Sequence, residues 1–172
     1  MSDMMTRISA GLERAFATGG FAQPSVEDLR DAAGVSLRTL YKYTPSRSDM
    51  VYAALEYRHR RYLAHVLDDL PRDPRRAVLD LMDRVGGWMI AEASHGCLFH
   101  AAVAAAPGDA RLRDLLERHK SEVAARAAAA TGLEGREVAL LLIVEGLTQT
   151  WPLHREKAVS SAKLLAQGLL GS

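Results

Sequence analysis

Cationic, hydroxyl and aromatic side chains are concentrated between residues 25 and 47, and together they suit the binding of a polyanion. A guanidinium such as that of Arg38 can donate two hydrogen bonds to the edge of a guanine, and Lys42 and Arg47 can pair with phosphates. Tyrosine and serine hydroxyls also donate to phosphate oxygens. This chemistry requires short helices that hold the side chains on one face, so the local helix signals decide whether the segment forms a site.

Two short helices joined by a glycine turn are predicted for residues 25–43. Ser25 and Asp28 have the spacing of a capping box, in which the hydroxyl accepts from the first turn and the carboxylate reaches back to the cap. Gly34 ends this helix, because glycine adopts the left-handed backbone at low cost. Ser36 caps a second helix, in which Leu40 is the expected core residue. The pattern predicts a helix-turn-helix.

Charge is balanced in this part of the chain, with six Arg and Lys against six Asp and Glu in residues 1–50. The balance weighs against nucleic-acid binding through net charge alone. The distribution favours such binding, because Arg38, Lys42 and Arg47 lie on or just after the second helix, whereas the acidic residues 27, 28 and 31 lie on the first. A neutral domain with one basic face can still bind DNA.

The segments AAGVS, TLYKY and PSRSDM resemble the first domain of the tetracycline-repressor (TetR) family of transcriptional regulators. That family shares a glycine-valine-serine turn, a leucine-tyrosine pair and a serine-lysine step into a long helix, and the resemblance covers roughly the first third of the chain. Three positions depart from the pattern. Arg30 replaces a small alanine and Thr44 replaces phenylalanine, which predicts a looser helix-turn-helix core. Arg47 replaces lysine and keeps a phosphate-binding cation.

The resemblance implies how these residues divide their work on DNA. Tyr41, Tyr43 and Arg47 match the family's phosphate-contacting positions and would set affinity. The N-terminal end of the second helix is the part that enters the major groove, so residues 37–39 would set sequence preference. The predicted DNA-binding residues are Ser25, Ser36, Leu37, Arg38, Thr39, Tyr41, Lys42, Tyr43 and Arg47.

Helical periodicity continues along the rest of the chain, without alternating strand patterns or internal repeats. Beyond the helix-turn-helix, helices are predicted over residues 3–18, 47–69, 77–93, 97–106, 109–131, 134–151 and 155–170, the fourth of them buried. Gly86 and Gly87 should weaken or bend one helix, and Pro152 should end another. The basic run at residues 58–61 is expected to be a solvated face. We predict an all-α protein of about nine helices, with a DNA-binding domain over residues 1–45 and a ligand-binding and dimerisation domain over 46–172.

Composition narrows the class of protein further. Forty-eight per cent of the residues are apolar and 25% are charged, which are ordinary globular values. The start, MSDMMTR, lacks the apolar core of a signal peptide and no apolar run reaches membrane-spanning length, so we expect a cytoplasmic protein. Catalytic motifs such as a phosphate loop, GxSxG or HExxH do not occur, and we expect neither an enzyme nor a cofactor. His95, Cys97 and His100 are expected to pack or cap rather than to bind a metal.

A ligand pocket is predicted from apolar walls with one polar anchor, formed by Trp88, Met89, Phe99 and His119. Each of these residues could equally be plain core, and His119 could be a core histidine with a satisfied hydrogen bond. The segments GCLF and RLRDLLERHK also resemble, more weakly, the ligand-binding half of some TetR-family members.

A homodimer is predicted through the last two helices, because residues 138–144 are too apolar to face water and small alanines suit close helix contact. Glu145 lies within this apolar helix and needs a partner, either at a dimer rim or in a pocket. The predicted interface comprises Val138, Leu142, Glu145, Ala158, Ala162, Leu165 and Leu169.

These predictions describe a ligand-responsive transcriptional regulator, most often a repressor. It would bind a palindromic operator in double-stranded DNA as a homodimer, and a small, largely apolar effector would release it, with no role for a membrane. Two alternatives remain at this point: a helical interaction module that has lost operator binding, and a small helical enzyme.

Overall fold

The computed structural model describes residues 3–92 and 96–171. Over these residues it has nine α-helices and no β-strand, which confirms the predicted all-α fold. The helices are α1 (Asp3–Gly19), α2 (Val26–Ala33), α3 (Leu37–Tyr43), α4 (Arg47–Leu67), α5 (Pro74–Ala91), α6 (Leu98–Ala105), α7 (Ala110–Thr131), α8 (Glu137–His154) and α9 (Glu156–Leu169). Within the described ranges, no helix has the length and apolarity needed to cross a membrane.

The chain divides into two compact units. The first contains the residues up to Arg61 together with Leu98–Leu116, and the second contains Tyr62–Cys97 and the residues from Glu117 onward. All three helices of the predicted DNA-binding domain lie in the first unit. The domain boundary after residue 45 stays a prediction about where that domain ends.

The first unit is built on a close approach of α1 and α2 at Gly11. A Cβ at Gly11 would lie 2.3 Å from the Ala32 carbonyl oxygen, so this position has no room for a side chain. The apolar stripe predicted on α1 is buried at Ile8, Leu12 and Phe16. Further core side chains of the unit are Leu29, Leu40, Met50, Ala54 and Leu55.

A buried ion-pair cluster joins α1 to α4 in the same unit. Glu13 and Arg58 are both almost fully buried and form an ion pair, and Arg61 also reaches the Glu13 carboxylate, with 2.9 Å between nitrogen and oxygen. His59 is buried as well. The prediction of a solvated face at residues 58–61 is therefore wrong for Arg58 and His59. For Arg58 the physical reason is the Glu13 carboxylate, which compensates the buried charge.

The second unit has one hydrophobic core, formed by α5, α8 and α9 with the ends of α4 and α7. Helix α5 continues through Gly86 and Gly87, and the weakening or bend expected at these glycines stays a prediction. Gly86 also serves packing, since a Cβ there would lie 2.7 Å from Cγ2 of Val159 on α9. The approach of α5 to α9 needs this missing side chain.

Two further predictions about helices need correction. Pro152 lies inside α8, which ends two residues later at His154, because a proline near the end of a helix removes only one hydrogen bond of the last turn. Helix α6 buries Phe99 and Ala102 but leaves His100 and Ala101 exposed, so it is not the buried helix that its composition predicted.

Candidate nucleic-acid interface

Helix α2 begins with the predicted capping box. The Ser25 hydroxyl accepts from the Asp28 backbone N–H at 3.1 Å, and the Ser25 backbone N–H donates to the Asp28 carboxylate at 2.8 Å. The hydrogen bonds from the Ser25 hydroxyl and backbone hold the pKa of Asp28 below its ordinary value. Gly34 ends the helix with φ of 63°, the left-handed conformation that the turn requires. The helix-turn-helix signals are confirmed as local structure.

Helix α3 presents a mixed basic and aromatic face. Ser36 caps it by accepting from the Thr39 backbone N–H at 3.1 Å. Leu40 is buried and anchors the helix, whereas Arg38, Tyr41 and Lys42 are exposed. The remaining predicted contacts on α3, Leu37, Thr39 and Tyr43, are half-buried. The Thr39 hydroxyl lies 2.9 Å from the Ser36 hydroxyl, so the methyl of Thr39 is the group left for an apolar contact.

Two arginines of α1 hold the turn from behind, a role that the sequence did not reveal. Arg7 donates to the Gly34 carbonyl, and Arg14 donates to the Ala32 carbonyl at 3.3 Å. These bonds satisfy carbonyls that the end of α2 leaves without helical partners. They join positions 18 and 27 residues apart, and no spacing rule for a single helix predicts such pairs.

Arg47, predicted to contact phosphate, is half-buried and turns back toward α1. Its guanidinium donates to the Phe21 carbonyl at 2.8 Å and lies 5.8 Å from the Phe16 ring centroid. Phe21 stacks on Phe16, with 5.1 Å between the ring centroids, and so holds its loop to the core. A guanidinium has five N–H donors, so one bond to a carbonyl leaves donors for a phosphate, and that role stays a prediction.

Arg30 and Thr44, the two residues that depart from the family pattern in the helix-turn-helix core, each form a polar interaction with a nearby residue. Arg30 pairs with Asp31 beside it, at 2.6 Å. Thr44 is buried, and its hydroxyl donates to the Leu40 carbonyl at 2.9 Å. The hydroxyl is thus satisfied within its own helix, although the smaller side chain fills less space than phenylalanine.

The residues predicted for the effector are divided between the units. Trp88, Met89 and His119 are buried in the second unit, whereas Phe99 is buried in the first. Tyr62, which the sequence did not single out for the pocket, meets the rings of both Trp88 and His119 edge-on, each at 5.3 Å between centroids. Three of the four predicted residues therefore lie in the second unit, and Tyr62 contacts two of them.

Glu145 has the partner that its place on an apolar helix requires. Its carboxylate lies 2.6 Å from the Lys120 ammonium, which also donates to the Cys97 sulfur at 3.4 Å. His95, which was expected to pack or cap together with Cys97 and His100, lies outside the described residues. Among the residues that are described, no group of three or more His, Cys, Asp or Glu could hold a metal ion.

An apolar groove of about 590 Å³ runs between α8 and α9 in the second unit. Its edges carry Leu142 and Leu165, which are 69% and 61% exposed, and Val138 is exposed near the start of α8. Ala158 and Ala162 line the floor of the groove but are buried in the core of their own chain. Leu169 is partly buried against the same core. The alanines thus already make the close helix contact that their size suggested, and they make it within one chain.

Comparisons with known proteins agree with this fold. No family model matches the chain. The curated HTH-type transcriptional regulator EthR of Mycolicibacterium smegmatis is 32% identical over 79 residues, which span 44% of this chain and 36% of that relative's length. The chain is also similar over nearly its whole length to several solved structures of TetR-family proteins.

Three of these structures illustrate the similarity. A TetR-family protein of Rhodococcus sp. superposes with a TM-score of 0.75 at 26% identity, over 98% of this chain and 99% of that one. A TetR transcription regulator of Haloarcula marismortui gives a TM-score of 0.79 at 20% identity, over 98% and 97% of the two chains. A TetR-family regulator of Streptomyces coelicolor gives a TM-score of 0.77 at 19% identity, over 98% of this chain and 94% of that one.

The chain therefore has the fold of the TetR-family transcriptional regulators, and the resemblance found in residues 25–50 is confirmed. The proteins compared here are named as regulators of transcription and not as enzymes.

Proposed function

We propose that this protein is a DNA-binding transcriptional regulator that acts in the cytoplasm. The observation that carries the proposal is the exposed row of Arg38, Tyr41 and Lys42 on α3, held by a capped helix-turn-helix in a TetR-family fold. Phosphate contacts fix the register of such a helix on DNA, and base contacts select the sequence. Arg38, on the first turn of α3, is the side chain best placed for a bidentate contact to guanine.

The regulator would bind a palindromic operator as a homodimer, because two copies of one recognition helix related by a twofold axis need two related half-sites. The support for a dimer is the apolar groove between α8 and α9. Its exposed Leu142 and Leu165 present apolar surface that a second copy of the same groove would remove from water. Glu145 of α8, paired with Lys120 of α7, would lie at the rim.

A small, largely apolar effector would relieve repression by binding better to a state that does not fit the operator. The aromatic side chains around Tyr62 in the second unit are the support for such a ligand, because Trp88 and His119 meet that ring. Within the first unit, Arg111 and Asp109 at the start of α7 contact the first turn of α4. Helix α7 carries both Arg111 and His119, so a ligand at His119 would act on a helix whose start contacts α4.

A selection of random double-stranded DNA on the purified protein tests the regulatory role. The expected result is an enriched palindrome whose affinity falls steeply with salt, since phosphate contacts release counterions. Variant Arg38→Ala should lose preference at one base pair in each half-site. If no sequence is enriched even at low salt, the result favours a helical module that has lost operator binding. The equal numbers of acidic and basic residues in residues 1–50 motivate this alternative.

A further inference from the structure

A second groove lies entirely within the first unit, where α1, the end of α3, α4 and the start of α7 come together. Its volume is about 280 Å³. About nine water molecules would fill this volume, at about 30 Å³ each. The groove therefore has room for a molecule of the size of an amino acid. The groove is lined by Ser9, Tyr43, Tyr52, Glu56, Arg60 and Arg111, among others, and by none of the four residues predicted to bind the effector.

Ser9 gives this groove a polar group in need of a partner. Its side chain is fully buried, and within the described residues its Oγ has no hydrogen-bond partner. A serine hydroxyl in a helix commonly donates to the carbonyl four residues earlier, and here that bond is not made. A buried hydroxyl without a partner costs about 1 to 3 kcal/mol, so a ligand atom that bonds to it would recover this cost.

Charges of both signs surround the same space. Asp49 and Arg111 form one pair at 2.9 Å, with the guanidinium 4.7 Å from the Tyr52 ring centroid. Glu56 and Arg60 form a looser pair at 3.9 Å, beyond hydrogen-bond distance. An anion beside Arg60 would also meet Glu56, and a cation beside Glu56 would also meet Arg60. Only a ligand that carries both charges gains from both members of the pair.

We propose that this groove is a binding site for a small zwitterion, an α-amino acid with an aromatic or apolar side chain. The amino acid's carboxylate pairs with Arg60, its ammonium pairs with Glu56, and its side chain lies against the rings of Tyr43 and Tyr52. The Ser9 hydroxyl bonds to one of the ligand's polar groups. Such a site is separate from the effector residues around Tyr62. It shares Tyr43 with the predicted DNA-binding residues, and binding to it can be measured without DNA.

Binding of L-phenylalanine to the full-length protein without DNA tests the proposal, with phenethylamine and 3-phenylpropionate as matched probes. The first analogue has only the positive charge and the second only the negative one. We expect L-phenylalanine to bind at least tenfold more tightly than either analogue in isothermal titration calorimetry. The methyl NMR signal of Met5, which also lines the groove, should shift with the same saturation curve.

Two variants locate the site and one serves as a control. Ser9→Ala should weaken L-phenylalanine binding at least tenfold and leave the ligand-free protein no less stable, because it removes a hydroxyl that has no partner. Arg60→Gln, at a half-exposed side chain, should weaken binding similarly and tests the charge even if Ser9→Ala fails to fold. Ser121→Ala, at an exposed serine on α7, should change nothing.

The proposal is overturned if L-phenylalanine does not bind, or if the three probes bind equally. It is also overturned if Ser9→Ala or Arg60→Gln binds L-phenylalanine as the wild type does. Because DNA is absent from every arm, these outcomes do not depend on the regulatory role.

Discussion

Arg111 at the start of α7 forms an ion pair with Asp49 in the first turn of α4, with 2.9 Å between nitrogen and oxygen. In the same contact, the Ser48 hydroxyl donates to the Asp109 carboxylate. These two bonds join α7 to the helix that directly follows the recognition helix in sequence. The charges in this contact can be removed one at a time by substitution.

The acid stability of the protein should reveal this contact. Hydrogen bonds from Ser46 and Arg111 hold the pKa of Asp49 below its ordinary value, and the hydrogen bond from Ser48 does the same for Asp109. A lowered pKa gives stability that is present above the unfolded value, near about 3.9, and is lost as the pH falls through the folded value. We expect Asp49→Asn with Asp109→Asn to melt earlier than wild type at pH 7, and the difference in melting temperature to shrink as the pH falls further below about 4. A melting difference that persists at low pH would mean that these charges are not its source.

The buried cluster around Glu13 should be a major determinant of stability. Glu13→Gln removes a carboxylate that pairs with the buried Arg58, and we expect a loss of about 3 to 5 kcal/mol in urea unfolding followed by circular dichroism. Glu122→Gln is the matched control, because the pair that Glu122 forms with Arg126 at 3.8 Å is exposed on both sides. That change should cost less than about 1 kcal/mol. Equal effects of the two substitutions would contradict the role assigned to burial.

Adjacent glycines on α5 should respond in opposite directions to the same substitution. Gly86→Ala places a methyl 2.7 Å from Cγ2 of Val159, a stiff β-branched side chain, and we expect a net loss of about 1 to 2 kcal/mol. Gly87→Ala meets nothing closer than His65 at 4.0 Å, and it should gain up to about 1 kcal/mol from better helix propensity. Thermal melting of the two variants checks both signs, and stabilisation by both would show that α9 can move away.

Signals between near neighbours in sequence predicted much of this fold, and contacts between distant residues were missed. Ser25 with Asp28, and Gly34 after them, predicted the ends of α2 because caps act within one helical turn. Nothing near Glu13 marks it as the partner of Arg58, which lies 45 residues away. Gly86 had two possible meanings, a weak helix or a close approach, and only the position of Val159 decides between them.

The same distinction applies to the candidate site. Helical spacing with Leu40 inside predicted that Arg38 and Lys42 face outward, and both are exposed. Thr39 and Tyr43 were expected on the same outward face and are half-buried. Arg7 donates to the Gly34 carbonyl and Arg47 to the Phe21 carbonyl. Both hydrogen bonds join separate elements, so the sequence did not predict them.

The dimer proposal is tested on the exposed edges of the α8–α9 groove. Ala162 is 4% exposed, so a charged residue there would disrupt the core before it reported on assembly. Leu142→Glu combined with Leu165→Glu changes side chains already exposed in one chain, and we expect a folded monomer in sedimentation at micromolar concentration. Leu164→Glu, at a leucine 72% exposed that does not line the groove, should stay dimeric. If the double variant is still a dimer, the interface lies elsewhere.

Two cations on α3 should separate base reading from phosphate binding. Arg38→Ala removes a bidentate donor, so it should cost roughly 1 to 3 kcal/mol on the preferred DNA and relax one base pair per half-site. Lys42→Ala should weaken binding to all sequences equally and reduce the slope of log affinity against log salt by about 1 per protomer. Fluorescence anisotropy on preferred and scrambled duplexes over a salt series measures both effects.

Lys42 is a cleaner probe of phosphate binding than Arg47, because Arg47 also donates to the Phe21 carbonyl and its removal would loosen the loop after α1. Arg47→Lys keeps the charge but shortens the reach to that carbonyl. It should retain the salt slope while it lowers the melting temperature. If Arg38→Ala leaves base preference unchanged and reduces the salt slope as Lys42→Ala does, then Arg38 binds phosphate and a different residue of α3 reads the bases.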